Sequence, residues 1–338
     1  TPEIVPEGPP VVYPAPPAQP RFIFERTLRF NENVQKLKTG DKLKRLVTGV
    51  ADDLKGLVKP FDVATWDGRV YVSDTIQSII AVFDIRRGRY FEIGKDDPGL
   101  IDKPLGLTVA SNGELYVVDA GTKRIAVYNP EGQFIRHIGD PQALERPTDV
   151  AVDLTRQRLY VVDTGGVDST QHRVVVYDLG SGQLLQTIGT RGENEGEFNL
   201  PLQVALAPDG TLFVVDSGNF RVQGFNPDGS RKLSFGGLGR YPGQFARPKG
   251  ISVDPNGNIY VVDTAFGNFQ IFDPNGQLLL FVGQHGASSK PGNYVLPAGI
   301  SVDTDGRVYI VDQYFRKVDV YRPALLGPQE GLAVYHDQ

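Results

Sequence analysis

The 338-residue sequence contains no cysteine and no methionine. The missing cysteine excludes disulfide staples, thiolate catalysis, iron–sulfur clusters, c-type haem attachment and Cys-based zinc sites together. No run of 18 apolar residues occurs, so the sequence offers no transmembrane helix. An excess of positive charge is also missing: 35 basic side chains face 40 acidic ones, for a net charge of -5. That balance argues against broad nucleic-acid binding, which needs a basic face. Histidine is scarce, with four in the chain. What is abundant is glycine (39) and proline (25), beside a 40% apolar content that supports a large core. A chain that opens at Thr1 without methionine is expected to begin after a processing step or at a boundary cut within a longer chain.

The main signal is a repeat. One phrase recurs six times, from PFDVATWDGRVYVSD (60–74) to PAGISVDTDGRVYIVD (297–312), and closes each time on an aspartate. These are Asp74, Asp119, Asp163, Asp216, Asp263 and Asp312, spaced 45, 44, 53, 47 and 49 residues apart. Each phrase reads as a hairpin, with Asp-Gly or Asn-Gly turn residues at most tips. A third run follows, with an aromatic nine residues after the aspartate: Phe83, Tyr128, Phe225, Phe272 and Tyr321. In the third copy the aromatic is Tyr177, displaced by an insertion from Val167 to Gln171. A fourth run closes every unit but the last. Four short antiparallel strands at this period predict an all-β fold, a six-bladed β-propeller of four-stranded blades. The strand-like segment 21–30 (RFIFERTLRF) is expected to supply the missing strand of the sixth blade and close the ring.

The residues Asp254, Gly257, Tyr260 and Asp263, and the stretch Asp216-Ser217-Gly218-Asn219-Phe220-Arg221-Val222, resemble NHL repeats. The resemblance covers roughly residues 60–322. The whole chain looks most like the NHL-repeat lipoproteins of Gram-negative bacteria, which also open with a Pro-rich stretch and carry a helical insert before the first full blade. It implies an extracytoplasmic place, in the periplasm or anchored at the outer membrane, and a lipid anchor upstream of Thr1. Copies 1 and 6 lack the Gly-Asn pair after the aspartate, so the resemblance does not imply a uniform loop face.

Three segments fall outside the blades. Residues 1–20 hold eight prolines and read as a linker or wrapped tail, or as a tether that holds the propeller off an anchor upstream of Thr1. Within an insert at 34–57, residues 41–57 carry Leu43, Leu46, Val47, Val50, Leu54 and Leu57 at helical spacing, which predicts an amphipathic helix packed on one face of the ring. Residues 323–338 form a C-terminal tail.

The chemistry is less legible. An aspartate repeated at one place in six blades reads as architecture, accepting backbone N–H bonds from the next loop and pairing with Arg124, Arg173, Arg221 or Lys317. The histidines His137, His172, His285 and His336 share no repeat position, so no histidine metal site is expected. The second residue after each leading proline should face the channel: Asp62, Gly106, Asp149, Gln203, Gly250 and Gly299. Asp62 and Asp149 are therefore candidate channel-mouth carboxylates, short of a full hard-cation shell. No cofactor motif is visible. The turn residues Phe266, Tyr314, Phe315 and Arg316 suit a protein-binding face on the loop side of blades 5 and 6. The reading is a non-catalytic protein-binding scaffold of the bacterial cell envelope, with no nucleic-acid partner and no membrane contact beyond the anchor. Two alternatives remain: a metal-dependent lyase or lactonase with its site at the central channel, and a structural subunit of an extracytoplasmic assembly.

Overall fold

A computed structural model describes residues 10–35 and 54–335. Five consecutive blades are four-stranded antiparallel sheets in chain order. Blade 1 holds the strands Pro60–Trp66, Arg69–Asp74, Ile79–Asp84 and Arg89–Ile93. The inner strands of blades 2 to 5 are Pro104–Val109, Pro147–Asp153, Pro201–Leu206 and Pro248–Val253. That of blade 6 is Pro297–Val302. Each inner strand packs against those of its two neighbours, including blade 6 against blade 1, so the six enclose a central channel.

The second and third strands of each blade are almost wholly buried, because their β-branched and aromatic side chains fill the gaps between adjacent sheets. The repeated aromatics Phe83, Tyr128, Phe225, Phe272 and Tyr321 are all at most 2% exposed. Each core cluster spans neighbouring blades, so every blade needs the next to bury its face.

The ring closes through the strand Phe22–Leu28, which pairs antiparallel with Lys317–Pro323, Phe24 opposite Tyr321 and Leu28 opposite Val318. One further strand lies outside it. Val12–Tyr13 pairs with Ile23 and Phe22, and the Tyr13 ring stands edge-on to Tyr321 at 5.9 Å. The described part of the Pro-rich segment therefore lies against blade 6 and does not stand off as a tether.

The expected helix 41–57 falls mainly outside the described residues. Its described end is not helical. Gly56 bridges Phe30, Asn31 N–H donates to Lys55 O, and Leu57 N–H donates to Arg29 O. Pairing with the chain that leaves the closing strand prevails over local helical spacing there. The tail returns to the ring beneath blades 6 and 1, where Ala333 and Val334 are buried.

Candidate functional site

The six closing aspartates are buried at the ends of the second strands. Each binds the two backbone N–H groups before a leading proline, or one of them in blade 4. Asp263 accepts from Ala246 and Arg247, and also from Ala265 and Phe266 in the following turn. Asp74 and Asp119 each take four backbone donors in the same way. These carboxylates hold the loop face in shape. The expected pairing with a basic neighbour holds at Asp163–Arg173 and Asp216–Arg221. It fails at Lys317, which pairs with buried Asp319 at 2.6 Å, and among the described residues Arg124 forms no ion pair. Lys317 stands opposite Asp312 in the same register as Arg221 opposite Asp216, but its ammonium reaches Asp319 and lies over the Tyr294 ring.

The channel is shaped by a bulge in every inner strand, which shifts the register between the leading proline and the residues that follow it. Side chains from neighbouring blades satisfy N–H groups that the bulges free. Asp62 accepts from Leu107 N–H at 3.2 Å, Asp149 from Val204 at 2.8 Å, and Gln203 from Ile251 at 3.3 Å. Glycines make the room: a Cβ at Gly299 would collide with Asp62, and one at Gly106 with Asp149.

Asp62 and Asp149 are thus brought together, though inside the channel and not at its mouth; each is 4% exposed. Burial pushes Asp62 up to about 6, against the opposing pull of the Val63 and Leu107 N–H groups, Gln203 and Lys249. Burial and the charge of Asp62 push Asp149 well above the usual carboxylate range. The two carboxyls therefore resist ionising together. Below this ring opens a cavity of ≈ 480 Å³, lined among others by Thr65, Thr108, Ser252 and Ser301.

The histidines do not converge. His172 is buried, taking Leu200 N–H on Nδ1 and facing Gly166 O with Nε2, so it ties the blade 3 insertion to blade 4. His137 and His285 are exposed on separate blades, and His336 lies outside the described residues. Among the described residues, no three His, Cys, Asp or Glu side chains are grouped to hold a metal.

On the loop face, Tyr314 is 60% exposed and stands edge-on to half-buried Phe315, with ring centroids 5.2 Å apart. Arg316 is exposed and Phe266 half-buried. Phe245 and Tyr294, in the loops entering blades 5 and 6, are fully buried and belong to the core. Sequence reasoning missed Lys249, which follows the leading proline of blade 5. Its Nζ donates to Gln313 Oε1 at 3.2 Å and sits 4.9 Å above the Phe61 ring. The signal was present: the equivalent residues are Phe61, Leu105, Thr148, Leu202 and Ala298, so a lysine in that column is out of place.

Comparison with known proteins agrees with this geometry. The NHL repeat pattern matches residues 102–128, 198–225 and 245–272. NHL repeat-containing protein 3 of Mus musculus is 26% identical over 182 residues, 49% of this chain and 51% of the mouse protein. The chain thus spans about half the length of that relative. Among solved structures, a Bacteroides thetaiotaomicron protein of unknown function is 17% identical with a TM-score of 0.62, over 88% of this chain and 76% of that one. A gluconolactonase of Xanthomonas campestris gives 17% and 0.58, over 79% and 86%. A virginiamycin B lyase of Staphylococcus aureus gives 15% and 0.55, over 78% and 95%. At these identities the likeness concerns the fold. The chain carries NHL repeats at those three segments, and its six blades close into a β-propeller.

Proposed function

We propose that this propeller is a non-catalytic scaffold that docks a partner protein on its loop face, at blades 5 and 6. The observation that carries the reading is the Tyr314–Phe315 pair, an aromatic step held on a turn whose Phe315 N–H is fixed by Asp312 at 2.8 Å. An exposed aromatic on a rigid turn supplies contact area at little ordering cost, which is what an interface anchor requires. Phe266 and Arg316 flank the step on the same face. The resemblance to envelope lipoproteins supports an extracytoplasmic, lipid-anchored setting, read out by cell fractionation and mass spectrometry of the N-terminal peptide. The test of the docking surface is the double change Tyr314→Ala with Phe315→Ala. The folded variant should lose the partner that the unaltered chain captures from its native lysate. Capture at the unaltered level places the interface elsewhere.

The channel favours a second reading, a lyase or lactonase, on the strength of the coupled Asp62–Asp149 pair above a cavity of ≈ 480 Å³. Stoichiometric metal in the purified protein, lost together with a hydrolytic or lyase activity in Asp62→Asn, would establish it over the scaffold.

A further inference from the structure

Within a net charge of -5, one loop-face position is basic again and again. The residue before the leading proline is basic in four blades: Lys59, Lys103, Arg146 and Arg247. All four are exposed. Their backbones are pinned: each carbonyl accepts from the turn after the second strand, and each N–H donates to a closing aspartate. The four side chains therefore leave a rigid ring at equivalent points. Among the described residues none of the four side chains forms an ion pair or a hydrogen bond.

Two of them gather round a fifth cation. Lys249 is half-buried where the inner strand of blade 5 begins, and among the described residues its one hydrogen-bond partner is the neutral Gln313 side chain. Burial lowers its pKa to about 8, Asp62 opposes that, and Arg247 and Lys59 lower it further. Arg247 precedes Lys249 by two residues, and Lys59 precedes by two the Phe61 whose ring Lys249 covers at 4.9 Å, so three cations of blades 5 and 1 meet at this point of the rim. Gln313, held by Lys249, is followed directly by Tyr314 and Phe315, so the cluster adjoins the aromatic step. Crowded, partly dehydrated cations raise the energy of the free surface, and an arriving anion relieves both the repulsion and the lost hydration.

We infer that the channel mouth at blades 5, 6 and 1 is a receptor for an acidic peptide segment of the partner. Lys249 Nζ takes one side-chain carboxylate, Lys59 and Arg247 flank it, and the Tyr314–Phe315 step seats the neighbouring apolar side chain. The inference rests on the scaffold reading and supplies the partner's chemistry.

The test is fluorescence anisotropy with a labelled peptide, Gly-Glu-Glu-Leu-Glu-Gly, amidated at its C-terminus, and with its Gln counterpart. The Glu peptide should bind the full chain at least tenfold more tightly, and binding should weaken as salt rises. Lys249→Gln should weaken it at least fivefold, as should the exposed pair Lys59→Gln with Arg247→Gln, which guards against a folding defect in the first variant. Lys103→Gln with Arg146→Gln, on the far side of the rim, should leave it unchanged. Equal binding of the two peptides overturns the inference, as does indifference to both sets of changes. Displacement by inorganic phosphate or by an oligonucleotide at far lower concentration than by free Glu peptide also overturns it, marking a phosphate site. If the peptide fails while Tyr314 and Phe315 still govern partner capture, the scaffold reading stands and this inference falls. If both fail, both fall.

Discussion

At the scale of single residues, the closing aspartates show why a carboxylate is required and an amide will not serve. Asp263 is fully buried and both its oxygens accept, two backbone N–H groups each. Asparagine would aim an NH2 group at two donors. Asp263→Asn should therefore cost nearly as much as Asp263→Ala, about 3 kcal/mol or more, since several buried donors lose their partner. Urea unfolding checks this: an Asn variant within about 0.5 kcal/mol of the unaltered chain would contradict it. The channel pair makes a pH prediction. Asp62, Asp149 and Asp303 are all raised, two of them to about 6. A carboxyl raised on folding contributes most below its unfolded pKa, and its contribution is lost as pH rises through the folded value. Thermal stability should thus fall between pH 4 and pH 7. Asp62→Asn should flatten that slope in part, since Asp149 loses a charged neighbour at the same time, and Asp303 keeps a remainder. An unchanged slope would show that the pair ionises freely.

At the scale of elements, ring closure depends on a clasp that joins both ends of the chain. Arg307, fully buried in the hairpin of blade 6, pairs with Glu25 at 2.9 Å and Asp305 at 3.1 Å, and donates to Glu330 O at 2.7 Å. Arg307→Leu takes the shared cation from Glu25 and Asp305, leaving them Arg26 and the Leu332 N–H, and should cost about 3 kcal/mol. Deleting residues 1–30 should cost more, since the buried faces of Phe22 and Leu28 and the whole outer ladder of blade 6 go together. A truncated chain that melts at the same temperature would refute the closure. The closing strand was legible because the last repeat lacked a fourth run and the sequence before the first supplied one. Val12–Tyr13 was not legible, because two residues among prolines carry no period; Tyr13 is held by the distant Tyr321. The channel positions of Asp62 and Asp149 followed from the repeat. Their burial did not, since it depends on Gly299 and Gly106 standing opposite once the ring is closed.

At the scale of the whole molecule, the repeat phrase dictates the architecture and the departures from it mark the candidate site. Lys249, Gln313 and Tyr314 each break the pattern of their column, and the structure gathers them at one mouth of the channel. The ring closure has a further consequence, one of timing. Phe22–Leu28 pairs with Lys317–Pro323, so a strand that leaves the ribosome before all six inner strands finds its partner only in the last blade. At about 5–20 residues per second, the wait for its partner is roughly 15–60 s. Through that interval blade 1 has no blade 6 to cover its face, and the seven-residue closing strand lacks its partner in blade 6. Nascent chains halted before blade 6 emerges should be cut readily by protease within residues 21–30, and chains extended past the clasp should resist. Biosynthesis thus imposes on this propeller a period of guardianship, in which a holding chaperone or a slow approach of neighbouring chains decides whether the first strand finds its own last blade or that of another copy.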